Sequence, residues 1–321
     1  MRPRLHLLAT GGTISMVPTA AGNVPSLDGA ALLALAAGAA RLADVTVEDW
    51  ARIPAAHLDG GRLVALRDRV AQLQRSGACD GIVITHGTDT IEETAYLLAR
   101  TVAPEVPVVV TGAMRTSADA DWDGGRNLGD ALRVAAATAS RGRGVLVAFA
   151  GSILAGHEAV KRDALALDAF HAPHGAPLGA VAADGTVAFT RTAPRADRFA
   201  AFPARGVLPP VTVHALVPAD DGALLYVSRA SHAGAVLLGF GAGNLTPGVL
   251  SAAERWLADG KPVVLASRCA SGEVAPLYGF PGGSRQAIER GLLPAGPRTP
   301  WQARIELQLC LAMGMGWEGE A

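Results

Sequence analysis

"GIVITHGTDTIEETAYLLAR", residues 81–100, changes period in its middle, and that change decides the fold. Gly81 to Thr85 is an unbroken apolar run of strand length. From Ile91 onward, apolar residues recur at helical spacing through Ala95, Leu98 and Val102. An unbroken apolar strand must be covered on both faces, and a strand followed at once by a helix is half of a βαβ unit.

Working outward, the same alternation continues. Strand-length runs lie at 5–10 (LHLLAT), 107–114 (PVVVTGAM) and 144–151 (GVLVAFAG), and helical segments at 29–43, 61–77 and 128–140. This predicts a parallel sheet wound on both faces. From about 165 to 210 the pattern gives way to Pro, Gly and His turns such as HAPHGAPLG (171–179), as expected of excursions and a linker. It resumes at 211–217, 235–245, 248–260 and 262–268 and ends in TPWQARIELQLCLAMG (299–314), where Thr299 as N-cap and Pro300 at the first helical position open a helix. The fold class read here is α/β: a large doubly wound, mainly parallel N-terminal domain (1–192), a linker (193–210) and a smaller α/β C-terminal domain (211–321). No repeat of fixed period is present, and the one biased segment is the terminal EGEA (318–321).

Composition narrows the function. Of 321 residues half are hydrophobic, mean hydropathy is +0.28 and formal net charge is −1, so the chain can build a core and has no electrostatic reason to bind a polyanion. No basic stripe interleaved with aromatics is present, and nucleic acid is not expected as a partner. Cys79, Cys269 and Cys310 are odd in number and lack any Cys-x-x-Cys, which fits a reducing compartment rather than a disulfide framework or zinc cluster. The apolar run behind Arg2 and Arg4 is too short for a secretion signal, and no segment is long enough to span a bilayer. A soluble, cytoplasmic protein without a membrane partner is expected.

The chemistry concentrates in two loops. TGGT (10–13) and THGTDT (85–90) both stand where an apolar strand is expected to hand over to a helix, the edge at which parallel sheets bind ligands. A single such loop would be read as helix capping. Two, one carrying a Thr-Asp pair, point to a shared pocket presenting Thr13, Thr88 and Asp89, with the amides near Gly12 and Thr88 available to an oxyanion. Threonine becomes a nucleophile only beside a base. Lys161 is the candidate, one of only two lysines in the chain, although a solvated surface lysine is an equal reading.

Other chemistries lack their residues. Asn244 replaces the third glycine of a dinucleotide fingerprint in GFGAGN, GGTISM has no Gly-Lys-Ser/Thr, and Lys161 stands where His157-Glu158 would need a second zinc ligand. His171 and His174 flank a proline and read as a solvated pair. Neither Gly-x-Ser-x-Gly nor Ser-x-x-Lys occurs.

The motifs LLATGGTIS, GIVITHGTDTIEETAYLL, PVVVTGAMR, RNLGDALRVA, GAGNL and ARIELQLCLA, in this order over nearly the whole chain, resemble the bacterial-type asparaginase/glutaminase amidohydrolases. The resemblance implies a homotetramer, a dimer of dimers with sites between subunits, and a small-molecule amide substrate with L-asparagine as the default. It implies that Thr13 attacks the side-chain amide to form an acyl-enzyme, that Thr88, Asp89 and Lys161 form a second triad, and that Asp89 also holds the substrate amine. Asn244 and Glu273 would reach in from the neighbouring subunit. Neither cofactor nor metal is implied.

Two departures accompany the match. Asn23 stands where the family carries a loop tyrosine, and Ala55 and Ala56 stand where Ser and Gln grip the substrate carboxylate. Two lost hydrogen bonds to a charged group would weaken that grip by roughly two to four orders of magnitude unless His57 or Arg115 takes it over. A different small amide or ester, or a non-catalytic binding role, therefore stands beside L-asparagine hydrolysis.

Overall fold

The computed structural model describes residues 2–20, 22–36, 38 and 41–317, so the terminal EGEA lies outside the described residues. The chain forms two compact units, residues 1–205 and 206–321.

In the first unit the strands are β1 (Arg4–Gly11), β2 (Met16–Thr19), β3 (Gly22–Pro25), β4 (Asp44–Ile53), β5 (Gly81–Thr85), β6 (Val108–Thr111), β7 (Val145–Phe149), β8 (Ser152–Ala155), β9 (Val160–Lys161), β10 (Phe170–His171), β11 (Gly179–Val181) and β12 (Val187–Phe189). Helices α1 (Gly29–Leu35), α2 (Gly60–Ser76), α3 (Ile91–Thr101) and α4 (Gly124–Ala136) lie between them. Eight strands make one sheet in the order β12-β11-β8-β7-β6-β5-β1-β4, parallel from β4 through β7 and antiparallel beyond.

Alternation along the central strands accounts for the two covered faces. Leu5, Leu7, Val83 and Val109 pack with Leu128, Ala131 and Leu132 of α4; Leu8, Ile82, Ile84, Val108 and Val110 pack with Leu66 and Val70 of α2 and Ile91 and Leu98 of α3. Asp59 caps α2 by accepting from the Arg62 amide at 2.8 Å, and Gly77 ends it in the left-handed region.

Two local readings change. After TGGT the chain does not enter a helix: a 3₁₀ turn at Thr13–Ser15 leads into the β2–β3 hairpin, which pairs Pro18 with Asn23. The helix expected over 29–43 is α1, closed at Ala36. Residues 196–205 are fixed within the first unit. Phe199 is wholly buried and its amide donates to the Arg100 carbonyl, while the Arg67 and Arg100 guanidinia donate to the carbonyls of Phe202 and Ala196 at 2.6 and 2.8 Å.

The second unit is a parallel sheet in the order β13 (Val211–Ala215), β14 (Gly234–Gly239), β15 (Val263–Ser267), β16 (Leu293–Pro294), with α5 (Ala223–Ser228), α6 (Pro247–Ala258), α7 (Ser284–Glu289) and α8 (Pro300–Met313). Thr299 opens α8 with a capping box: its hydroxyl accepts from the Gln302 amide and its own amide donates to the Gln302 side chain, each at 3.2 Å. The architecture is thus α/β, a large mostly parallel sheet followed by a smaller parallel one.

Candidate active site

β1 and β5 are neighbours in register, Ala9 beside Thr85, so their C-terminal ends deliver TGGT and HGTDT to the same edge of the sheet. Thr10 Oγ1 donates to the Thr85 carbonyl at 2.8 Å and binds the two strand ends together. Gly11 and Gly12 have φ of 104° and 80°, a region open to glycine at no steric cost. Space imposes the same choice. A Cβ on Gly12 would stand 2.3 Å from the Gly87 Cα and amide nitrogen, and one on Gly87 would stand 2.6 Å from the Ala55 Cβ. Three loops therefore stack backbone against backbone: Gly12, then Gly87, then Ala55. Thr13 follows Gly12 on its 3₁₀ turn, half-buried, and Thr88 follows Gly87.

Thr88 begins a second 3₁₀ turn, Thr88–Thr90, and is buried; the Asp89 carboxylate is 68% exposed. Lys161 reaches this turn from β9, half of a short antiparallel ribbon with β10. Its Nζ donates to Thr88 Oγ1 and to Asp89 Oδ1, both at 2.9 Å. The surface reading of Lys161 is excluded by this contact, since its side chain is only 17% exposed. A hydroxyl, a carboxylate and a lysine amino group meet on one corner, beside the loop that carries Thr13, and such a set is chemically able to pass a proton.

The remaining residues lie as follows. Ala55, Ala56 and His57 form a 3₁₀ turn in which Ala55 is buried on Gly87 and Ala56 and His57 are exposed; the Ala55 carbonyl accepts from Thr90 Oγ1 at 3.3 Å. Arg115 Nε faces Asp121 Oδ2 at 3.4 Å. In the second unit, Asn244 is half-buried and its Oδ1 accepts from the Ser284 amide at 3.1 Å, while Glu273 is exposed on a loop. Among the described residues no group of three or more His, Cys, Asp or Glu could hold a metal, and Glu158 pairs with Arg191. No helix among them is long and apolar enough to cross a membrane.

The sequence reading passed over His86, which the structure places, fully buried, between β5 and the Thr88 turn. Its signal was present, since a histidine ending an apolar strand has no water to turn to. Nδ1 lies 2.8 Å from the Gly87 carbonyl and Nε2 3.1 Å from Thr94 Oγ1. A carbonyl only accepts, so Nδ1 carries the proton and Nε2 accepts from the threonine hydroxyl. Burial pushes the imidazole down from 6.5 to about 4.

The unfolded chain therefore takes up a proton near pH 6.5 that the folded chain refuses until about pH 4, and stability falls as pH falls through that window, by roughly 3 kcal/mol at its acid end. Urea unfolding at pH 7 and pH 4.5 should show this loss in the wild type and a smaller one in His86→Asn. Equal losses in the two proteins would remove His86 as the cause.

Known proteins resemble the chain over both of its units. The asparaginase N-terminal family model matches residues 4–195, and the glutaminase/asparaginase C-terminal domain model matches residues 210–319. The chain is 35% identical to a probable L-asparaginase of Deinococcus radiodurans, over 98% of this chain and 95% of that protein. It is 30% identical to L-asparaginase 2 of Bacillus subtilis, over 96% and 82%. The crystal structure of a probable cytoplasmic L-asparaginase from Campylobacter jejuni superposes with a TM-score of 0.86 at 31% identity, covering 97% of this chain and 95% of that one. With both units matched and the paired threonine loops at one sheet edge, the chain belongs to the asparaginase family of amidohydrolases.

Proposed function

We propose that the protein hydrolyses the side-chain amide of L-asparagine to L-aspartate and ammonia through an acyl-enzyme on Thr13. The observation that carries this reading is the contact of Lys161 with Thr88 and Asp89, on a loop packed through Gly87 against the loop of Thr13. Thr13 Oγ1 bonds to the amide carbon, the carbon–nitrogen bond breaks, and the hydroxyl proton leaves with the nitrogen as ammonia. Water then attacks the ester; Thr88 and Lys161 take its proton and return one to Thr13 Oγ1, which regenerates the hydroxyl. The Thr88 amide, with a second donor on the Thr13 turn, holds the oxyanion of both steps, the Gly12 amide itself being taken by the Ile53 carbonyl at 3.2 Å. Asp89, exposed on the open side of its turn, receives the substrate ammonium.

Support for L-asparagine comes from the relatives named as L-asparaginases. The name of the Campylobacter jejuni neighbour supports a cytoplasmic location, and the motif resemblance alone supports a homotetramer in which a neighbouring subunit offers Asn244 and Glu273. Neither Ala55 nor Ala56 offers a side-chain hydrogen bond to the substrate carboxylate.

Ammonia release from L-asparagine, D-asparagine, L-glutamine and a β-amide without the α-carboxylate tests the reading. L-asparagine is expected to give the largest kcat/KM. Turnover of the truncated amide with none of L-asparagine would overturn the assignment of substrate.

A further inference from the structure

His86 belongs to none of the roles above, yet it is wholly buried and touches the backbone of the Thr88 loop. Both ring nitrogens are committed. The Thr94 hydroxyl, on the first turn of α3, donates to Nε2, and that fixes the ring with its proton on Nδ1, facing the Gly87 carbonyl. The imidazole has no route to the substrate. What it holds is a peptide plane.

The Gly87 carbonyl and the Thr88 N–H are opposite ends of one planar amide, so fixing the oxygen fixes the direction of the N–H. That N–H is the first of the Thr88–Thr90 turn and has no partner within it. Gly87 is held on its other sides by Gly12 and Ala55. Neither contact governs rotation of the plane. Turning about its Cα–Cα axis would swing the oxygen without moving Gly87 Cα, and a donor aimed at that oxygen opposes it directly.

We propose that His86 is a positioning residue: the relay from the Thr94 hydroxyl through the neutral imidazole to the Gly87 carbonyl sets the orientation of the Thr88 amide as an oxyanion donor. The role rests on the proposed amide hydrolysis. Burial supports it, because an imidazole that stays neutral to about pH 4 keeps the same proton arrangement throughout the neutral range. The consequence is selective. An amide that meets charge only in the tetrahedral intermediate affects kcat and leaves substrate binding nearly untouched.

Three variants separate this role from packing. His86→Leu fills much of the same space without a donor; His86→Asn restores an N–H on the atom bonded to Cγ; Thr94→Val releases the tautomer. A missing oxyanion donor costs about 100- to 1,000-fold, and a misdirected one less, so His86→Leu is expected to lower kcat by about tenfold with KM within about twofold. His86→Asn should return to within about threefold of wild type even where its melting temperature falls as far as that of the leucine variant. Thr94→Val should lie between them.

A kcat for His86→Leu within twofold of wild type, or an asparagine variant as slow as the leucine one, overturns the proposal. Imidazole ¹⁵N shifts of His86 in the wild type give a readout free of turnover. They should report the Nδ1-protonated neutral ring from pH 5.5 to 8, and a ring protonated on Nε2 overturns the proposal. Should the wild type release no ammonia from any amide, the hydrolase reading falls, and the ring shifts together with the Thr88 amide resonance, displaced in His86→Leu and recovered in His86→Asn, decide the positioning role alone.

Discussion

Thr13→Ala is expected to lower kcat for L-asparagine by about 10⁴-fold, close to 5.5 kcal/mol of lost barrier reduction. The substitution removes the oxygen on which the acyl-enzyme forms and leaves every backbone donor in place. Gly11 and Gly12 set the path of the turn, and Ser15 secures it by donating from both its amide and its hydroxyl to the Gly12 carbonyl at 3.0 and 2.9 Å. Because neither contact involves the Thr13 side chain, the melting temperature should move by no more than about 3 °C. Intact-mass measurement after rapid quenching on a slow ester substrate should show an acyl adduct on the wild type and none on the variant. Activity within tenfold of wild type would exclude Thr13 as the nucleophile.

The second large effect is expected at Lys161. Lys161→Met keeps the length of the side chain and removes its amino group and its two hydrogen bonds, to Thr88 Oγ1 and Asp89 Oδ1. Without a partner that handles the proton, kcat should fall by about 10³-fold, within the range found for removal of a positioned acid or base. Stability should hardly follow. The Asp89 carboxylate is 68% exposed, and an ion pair with one well-solvated member contributes under about 1 kcal/mol. A large loss of kcat with an unchanged melting temperature separates a chemical role from a structural one, and wild-type kcat in this variant would remove Lys161 from the proton transfers.

Legibility in the sequence followed period and burial. β1, β5, β6 and β7 are apolar runs buried on both faces, and such runs have few other ways to fold. The hairpin after TGGT was not legible, because MVPTAAGNVP has Pro18 on one strand, Gly22 on the other and no alternation of polarity. Nor was the docking of residues 196–205. It depends on Arg67 and Arg100, which are buried and donate to carbonyls of that segment, pairings between residues far apart in the chain.

Within the site, Thr88 and Asp89 are adjacent in the chain and announced themselves. Lys161 lies more than seventy residues further on, and although β7 ends at the same edge, β8 carries the chain away from it antiparallel before β9 brings Lys161 to the Thr88 turn. The glycines of both loops signalled a close approach, but sequence does not say to what; that Gly12 meets Gly87 required coordinates.

That stack limits how the sequence can drift. At position 12 an added methyl meets backbone atoms on every near side, so no compensating change elsewhere makes room. At position 87 the nearest obstacle is a side chain, the Ala55 methyl, and a glycine at 55 would remove it, leaving the residue 55 amide nitrogen and the Gly12 Cα, each at 3.2 Å, to give by a few tenths of an ångström. The three positions therefore form an ordered path: a lineage reaches alanine at 87 only after it has given up alanine at 55, and it never reaches alanine at 12.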